Sequence, residues 1–97
     1  MDIEVTDNAV ASRYEISVDG ALVGFADYRM SDGRVVFPHT VITPSMRERG
    51  LAAILVRHAL DAAREAGRVV VPACWYVEQF VDEHPEYEDL LERADTG

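Results

Sequence analysis

The segment Arg47-Glu48-Arg49-Gly50-Leu51-Ala52 combines two arginines with a glycine at the start of an alanine-rich run. A diphosphate binds where several backbone N–H groups converge at a helix start and no side chain blocks its approach. Gly50 and Ala52 supply that clearance, and Arg47 and Arg49 can add charge-assisted hydrogen bonds. The segment therefore indicates a phosphate-binding turn, although such a pattern also suits an ordinary loop-to-helix junction with surface arginines.

Cys74 is the only cysteine of the chain, and it follows the short apolar run Val69-Val70-Val71. The thiolate is the reactive form of a cysteine, and a free thiol is mostly protonated at neutral pH. Three roles stay open for this residue. It can be a nucleophile that accepts an acyl group, a general acid to a departing thiolate, or a buried core side chain.

His39 and Tyr76 are further candidates for proton transfer. A histidine titrates near neutral pH and could take a proton from an amine. The apolar residues that alternate around His39 favour a packed, structural position instead. Tyr76 could donate a proton to a leaving thiolate, although an aromatic residue one turn into a helix more often packs. No cluster of His, Cys and Asp has the spacing of metal ligands, so no metal is expected.

Alternating polar and apolar residues predict antiparallel strands in the first third of the chain. Tyr14, Ile16 and Val18 alternate with polar side chains, and Asp19-Gly20 is a hairpin signal. Further strands are predicted at residues 3–6, 22–30 and 34–42.

Pro38 lies inside the predicted strand 34–42. Proline cannot donate to a β-ladder, so it indicates an edge, a bulge or a local splay. A splay would leave carbonyl and N–H groups free beside the strand. A ligand that carries amide groups could fill the gap.

The second half of the chain predicts helices around one more strand. A long helix runs from Met46 or Gly50 to Ala66, and the later start is favoured over a capping box at Ser45. The run at 69–71 predicts a strand, 74–81 a helix, and 86–93 a short acidic helix after the break at His84-Pro85. The expected fold class is α+β, with a mixed, mainly antiparallel sheet, one long central helix and short C-terminal helices, in a single domain at residues 1–97.

The charge and composition exclude several classes of function. A net charge of −9 argues against nucleic-acid binding, which needs a basic face. Six arginines lie between Arg34 and Arg68, so the local basic surplus coincides with the suspected phosphate turn. No apolar run approaches the ~20 residues that cross a bilayer, the first residues lack a cationic signal-peptide start, and one cysteine forms no internal disulfide, so a cytoplasmic location is expected.

The stretch from residue 39 to residue 52 resembles the acetyl-CoA motif of the GCN5-related N-acetyltransferases (GNAT). It reads His39-Thr40-Val41-Ile42-Thr43-Pro44, followed by Arg47-x-x-Gly50-x-Ala52. Further motifs resemble one branch of these proteins, a minimal GNAT-like family whose members have about 95 residues. These motifs are Ala59-Leu60, Ala63-Arg64, Gly67, Pro72-x-Cys74-x-Tyr76 and His84-Pro85-Glu86-Tyr87. The upstream Ser12-Arg13-Tyr14-Glu15, Val18-Asp19-Gly20 and Ala26-Asp27-Tyr28 also fit, so the resemblance covers nearly the whole chain.

The resemblance implies a site for acetyl-CoA as cosubstrate. It implies that the fourth strand binds the pantetheine amides, that the turn holds the pyrophosphate, and that Cys74 lies near the CoA sulfur. The binding residues implied are His39, Thr40, Val41, Ile42, Arg47, Glu48, Arg49, Gly50, Leu51, Ala52 and Cys74. Glu48 departs from the family pattern, which often has glycine there, and a carboxylate would repel phosphate unless it points away.

Two functions follow from the resemblance. The first is acetyl-CoA-dependent N-acetyl transfer to an unidentified amine, which could be a polyamine, a small metabolite or a protein amine. The second is a non-catalytic CoA-binding module, since the chain is too short for the extra helices and strands that shape the acceptor site of larger acetyltransferases. A redox sensor based on Cys74 alone is less favoured. The oligomeric state stays open.

Overall fold

A computed structural model describes residues 2–91 of the chain, apart from the side chains of Glu48 and Arg49. The strands are β1 (Ile3–Asn8), β2 (Arg13–Val18), β3 (Ala21–Asp27), β4 (Arg29–Ser31), β5 (Arg34–Val36), β6 (Thr40–Ile42) and β7 (Val69–Val71). The helices are a first 3₁₀ helix (Pro44–Arg49), α1 (Leu51–Glu65), α2 (Trp75–Glu83) and a second 3₁₀ helix (Pro85–Leu90). The expected α+β class, with one long helix and short C-terminal helices, is confirmed.

The first sheet has four antiparallel strands in the order β1-β2-β3-β6. Its alternation works as predicted, because Tyr14, Ile16 and Val18 are buried while their neighbours on β2 are only partly covered. The Asp19-Gly20 turn joins β2 to β3 as expected. The predicted strand 22–30 is wrong in one respect, since it divides into β3 and β4 at Tyr28.

The second sheet has three strands in the order β4-β5-β7, and β5 pairs with β7 in parallel. The predicted strand 34–42 divides at Pro38 into β5 and β6, which belong to different sheets. The Phe37 N–H donates to the Val71 carbonyl at 3.2 Å, which is the last backbone hydrogen bond between this strand and β7 before they part. The splay that Pro38 predicted is therefore present, and it separates β6 from β7.

Helix α1 lies across the sheets and supplies much of the core. Its inward residues are Leu51, Leu55, Val56, Ala59, Leu60 and Ala63, and all of them are buried. The later helix start is confirmed, because residues 44–49 form a 3₁₀ helix and α1 begins after Gly50. The alternative capping box is absent, since Thr43 rather than Ser45 occupies the N-cap of the 3₁₀ helix and makes no side-chain cap.

The C-terminal helices add buried apolar side chains to the core and are also held to α1 by polar contacts. α2 ends at His84 because the following Pro85 prevents its continuation. The hydroxyl of Tyr87 donates to Asp61 at 2.7 Å and accepts from Arg57 at 3.0 Å, which fixes the second 3₁₀ helix on α1. The predicted helix 86–93 is thus a 3₁₀ helix at Pro85–Leu90, and its last residues, 92 and 93, lie outside the described residues. Within residues 2–91, no helix has the length and apolar character that crossing a bilayer requires.

Candidate functional site

A groove of about 440 Å³ lies where β6 separates from β7 and α2 begins. Its lining residues are Thr40, Val41, Ile42, Arg47, Ala52, Cys74, Trp75 and Tyr76. Most of these come from the segments that the sequence assigned to ligand binding. The groove therefore brings the fourth strand, the phosphate turn and Cys74 together, although up to 34 positions of sequence separate them.

Strand β6 presents one hydrogen-bonding edge to β3 and the other to the groove. The His39 carbonyl accepts a bond from β3 at 3.2 Å, and the Thr43 N–H donates one to β3 at 2.7 Å. Because backbone groups alternate in direction along a strand, the N–H and C=O groups of Thr40 and Ile42 face the groove. β6 is the last strand of its sheet on this side, so this edge can bind the amide groups of a ligand.

The start of α1 forms the second wall of the site. Gly50 adopts a left-handed conformation with φ of +70°, which an L residue reaches only with strain. The first bond within α1 runs from the Ile54 N–H to the Gly50 carbonyl at 3.3 Å. The N–H groups of residues 51–53 therefore have no partner inside the helix, which suits an anion. Leu51 is fully buried, so it can serve this site only through its backbone.

Arg47 lies on the edge of the groove next to β6. Its Nε donates to the Ile42 carbonyl at 3.2 Å, which holds the guanidinium beside the free edge of the strand. The remaining guanidinium N–H groups can donate charge-assisted hydrogen bonds to an anion. The side chains of Glu48 and Arg49 lie outside the described part of the chain, and the binding roles predicted for them stay predictions.

Cys74 is the N-cap residue of α2 and is 6% exposed. Its Sγ donates a weak hydrogen bond to the Thr40 hydroxyl oxygen at 3.8 Å. This contact joins β6 to α2 across the groove. The sequence assigned Thr40 through its backbone, and the contribution of its hydroxyl was missed because no local signal links residues 40 and 74.

Tyr76 and Trp75 complete the groove on the α2 side. Burial raises the pKa of Tyr76, and the negative charge of Glu83 raises this pKa further. Tyr76 therefore keeps its proton at neutral pH and can act as a donor. The Trp75 side chain is 73% exposed and meets the Tyr76 ring edge-on, with 5.9 Å between centroids. Trp75 was not predicted as a site residue, because the neighbouring residues in the sequence do not indicate the orientation of its ring.

His39 lies outside the residues that line the groove. Its Nε2 is 2.5 Å from an Asp27 carboxylate oxygen, and its ring meets the Phe25 ring edge-on at 6.3 Å between centroids. Its backbone carbonyl faces β3 rather than the groove. The predicted roles of His39 in catalysis and in binding therefore stay predictions. The packed position that the alternation favoured is wrong, because the residue is exposed and 56% of its side chain is accessible.

The chemistry of the groove is that of backbone amides, one cation, a thiol and a phenol. Within the described part of the chain, no three His, Cys, Asp or Glu side chains are grouped so as to hold a metal ion. The arrangement can bind an extended ligand with amides in the middle and an anionic group at one end. The thiol and the phenol lie at the other end of the ligand's path.

Solved structures that share this fold include the following three proteins. A GCN5-like protein from Staphylococcus aureus matches with a TM-score of 0.72 and 16% identity, over 96% of this chain and 91% of its own. The ribosomal-protein-alanine N-acetyltransferase of Brucella melitensis biovar Abortus gives 0.60 and 24%, over 88% of this chain and 64% of its own. Ard1 from Thermoplasma volcanium gives 0.56 and 21%, over 61% of this chain and only 41% of its own. At these identities the likeness shows the fold, and the chain spans less than half of Ard1.

Sequence comparison supplies the family. No curated protein sequence matches the chain at a significant level. A family model for the GCN5-related N-acetyl-transferases matches residues 13–90. This range contains every residue that lines the groove, together with the turn before α1. The chain therefore belongs to the GCN5-related N-acetyltransferase family.

Proposed function

We propose that this protein binds acetyl-CoA in the groove and transfers its acetyl group to an amine. The free edge of β6 is the observation that carries the proposal. This edge faces a groove that has the start of α1, with N–H groups that lack a partner inside the helix, on one side and a thiol with a phenol on the other. The order of these groups matches the order of pyrophosphate, pantetheine amides and thioester along acetyl-CoA.

Binding would use backbone groups more than side chains. The N–H and C=O groups of Thr40 and the N–H of Ile42 would bond the two pantetheine amides, as an added strand would. The N–H groups at the start of α1 would hold the pyrophosphate, with Arg47 supplying positive charge. The acetylated sulfur would then lie near Cys74.

The reaction needs a neutral amine, an aligned thioester and a proton for the leaving group. The amine nitrogen attacks the thioester carbonyl carbon, the C–S bond breaks, and the nitrogen loses its extra proton to solvent. The CoA thiolate takes a proton from Tyr76 or Cys74. A backbone N–H near the groove can polarise the carbonyl. Alignment alone supplies much of the rate, so a protein nucleophile is not required.

Calorimetric titration with CoA tests the proposed binding site. The double variant Arg47→Glu with Gly50→Asp places two negative charges where the pyrophosphate would lie, and CoA binding should be lost. A matched control, Arg29→Glu with Gly33→Asp, makes the same charge change in the β4–β5 hairpin and should keep the wild-type affinity. Retained affinity in the first variant would overturn the phosphate assignment.

Intact-protein mass spectrometry after incubation with acetyl-CoA separates the possible roles of Cys74. An added acetyl group in the wild type but not in Cys74→Ala supports a nucleophile. Turnover of an amine without any adduct supports direct transfer. Binding of acetyl-CoA with neither adduct nor turnover over a panel of amines would instead support a non-catalytic CoA-binding module.

A further inference from the structure

Trp75, the only tryptophan of the chain, forms an exposed wall of the groove at the start of α2. With 73% of its surface accessible, this ring contributes little to the core. An exposed indole face binds cations and alkyl chains well, because its face is negative and its area is large. It lies next to Cys74 and Tyr76, at the end of the groove where the proposed chemistry takes place.

The outward face of α2 continues from Trp75 as a line of polar side chains. Glu78, Gln79 and Asp82 follow it at helical spacing, and all three are exposed. With a rise of 1.5 Å per residue, the carboxylates lie roughly 5 and 10 Å beyond Trp75 along the helix axis. A molecule that passes over Trp75 along this face therefore meets two negative charges in turn.

These two carboxylates are not neutralised, in contrast to those of the next helix. Glu86 lies 3.8 Å from Arg57, and Asp89 lies 3.0 Å from Arg64. Over the described residues, neither Glu78 nor Asp82 forms an ion pair. The face of α2 is thus negative next to the groove, whereas the second 3₁₀ helix is paired with arginines.

We propose that α2 selects the acceptor, which is a primary amine with a second positive charge about 5–10 Å from the reacting nitrogen. The reacting amine lies beside Cys74 and Tyr76, the linking chain crosses the ring of Trp75, and the second cation lies beside Glu78 and Asp82. A diamine has this chemistry, as does a lysine next to a basic residue in a peptide. The proposal rests on the proposed function, because it names the acceptor for the same groove.

The electrostatics of α2 suit the two ends of such an acceptor differently. The N-terminus of a helix carries a partial positive charge, which favours the neutral form of the amine beside Cys74. The carboxylates one and two turns further on attract the second ammonium group. An acceptor with a carboxylate at that distance is repelled, so compounds such as 4-aminobutyrate are disfavoured.

A matched series of ligands tests this inference at equilibrium. Butylamine, 1,4-diaminobutane and 4-aminobutyrate share one amine and a four-carbon chain, but their other ends are neutral, positive and negative. Titration of the Trp75 fluorescence, with and without CoA, should give a dissociation constant for the diamine about tenfold lower than for butylamine, and 4-aminobutyrate should bind most weakly. Equal affinities for diamine and butylamine would overturn the inference.

This titration reads binding without turnover, so it separates two failures. Loss of acetyl transfer with selective diamine binding would refute the proposed function alone. Transfer without charge selectivity would refute the acceptor class alone.

A peptide with adjacent lysines forms the second arm of the series. Tighter binding of the peptide assigns a protein source to the acceptor and tighter binding of the diamine a metabolite source, and either result supports the class.

Charge-neutral variants locate the selectivity on α2. Glu78→Gln with Asp82→Asn should weaken diamine binding about tenfold and change butylamine binding less than twofold. The control Asp19→Asn with Asp32→Asn removes the same charge in two hairpin turns and should leave both affinities unchanged. An equal loss in the control would mean that net charge, not this face, attracts the diamine, and would overturn the inference.

A calorimetric titration of Trp75→Ala tests the ring itself. The diamine should bind about tenfold more weakly, while the dissociation constant for CoA should stay within twofold of the wild type. If CoA binding is lost instead and diamine binding is kept, then Trp75 contacts the cosubstrate rather than the acceptor, and the assignment is wrong.

Discussion

Tyr76 and Tyr28 both have a pKa above that of a tyrosine in water, but their hydroxyl groups have different surroundings and therefore different roles. Burial is the main cause in each case. The Tyr28 hydroxyl donates to Asp7 at 2.6 Å, so its proton is committed to a structural bond. For Tyr76 no such acceptor exists over residues 2–91, so its hydroxyl can donate into the groove.

We expect Tyr76→Phe to lower kcat about a hundredfold, which is the lower end of what a positioned general acid contributes. The dissociation constant for acetyl-CoA should change less than twofold, because no binding group is removed. Initial rates and calorimetric titration measure the two effects separately. Tyr14→Phe removes a hydroxyl remote from the groove and serves as control. An unchanged kcat in Tyr76→Phe would leave Cys74 or water as the proton donor.

The raised pKa of Tyr28 predicts how the free energy of unfolding changes at alkaline pH. Burial, followed by the hydrogen bond to Asp7, raises the pKa of Tyr28 to about 12, whereas an unfolded tyrosine titrates near 10. The folded chain thus keeps a proton that the unfolded chain releases between pH 10 and 12. Its contribution to stability is complete below pH 10 and is lost as the pH rises through that interval.

Urea unfolding from pH 8 to 12 checks this dependence on Tyr28. The Tyr28→Phe variant should be about 1 kcal/mol less stable at pH 8, since one hydrogen bond is lost. Its free energy of unfolding should then fall less steeply than that of the wild type between pH 10 and 12. Parallel curves for the two proteins would show that the other tyrosines with a raised pKa, Tyr14, Tyr76 and Tyr87, cause the whole dependence.

At the scale of elements, the groove depends on how closely β6 approaches β3. Gly24 lies opposite Ile42 in the first sheet, and a Cβ atom at Gly24 would stand 2.7 Å from the Val41 carbonyl oxygen. The same atom would stand 2.5 Å from the end of the Ile42 side chain. The missing side chain of Gly24 therefore fixes the position of the strand that carries the free edge.

We predict that Gly24→Ala pushes β6 outward, destabilises the protein by about 1–3 kcal/mol and weakens CoA binding at least tenfold. Gly33→Ala is the matched control, because Gly33 has open space around it but a φ of +80°. That variant should lose about 1–2 kcal/mol through backbone strain and keep its affinity for CoA. Urea unfolding and calorimetry measure both quantities. Normal CoA affinity in Gly24→Ala would show that β6 tolerates the shift.

Local signals in the sequence predicted most elements, and long-range contacts explain the rest. Pro38 and the pair His84-Pro85 mark breaks through the geometry of proline, so the splay and the end of α2 could be predicted. The break at Tyr28 could not, because there the backbone N–H turns to the Ser12 carbonyl at 2.9 Å, far away in sequence. The bond from Cys74 to Thr40 and the outward orientation of the Trp75 ring could not be predicted either, because no local signal in the sequence indicates them.

At the scale of the whole molecule, a chain with a net charge of −9 is proposed to bind a polyanion. The arginine surplus in the middle of the sequence is smaller in the fold, because Arg57 and Arg64 are paired with carboxylates of the second 3₁₀ helix. Among the residues that the structure describes, Arg47 has only the Ile42 carbonyl as a partner, and it stays at the groove. A short-range attraction at the site thus works against a long-range repulsion from the rest of the surface.

The short-range attraction and the long-range repulsion respond differently to salt. This difference gives a prediction for the rate of CoA binding. The Debye length falls from about 30 Å at 0.01 M to about 8 Å at 0.15 M ionic strength, so salt removes the repulsion first. The association rate constant of CoA should therefore rise two- to fivefold over this interval, unlike that of an anion steered to a basic site. Stopped-flow measurement of Trp75 fluorescence gives the rate. The diamine is the internal control, because its association with the negatively charged protein should become slower over the same range of ionic strength. If the association rate constants of both CoA and the diamine fall, then the local positive field of the turn before α1 controls the approach of CoA.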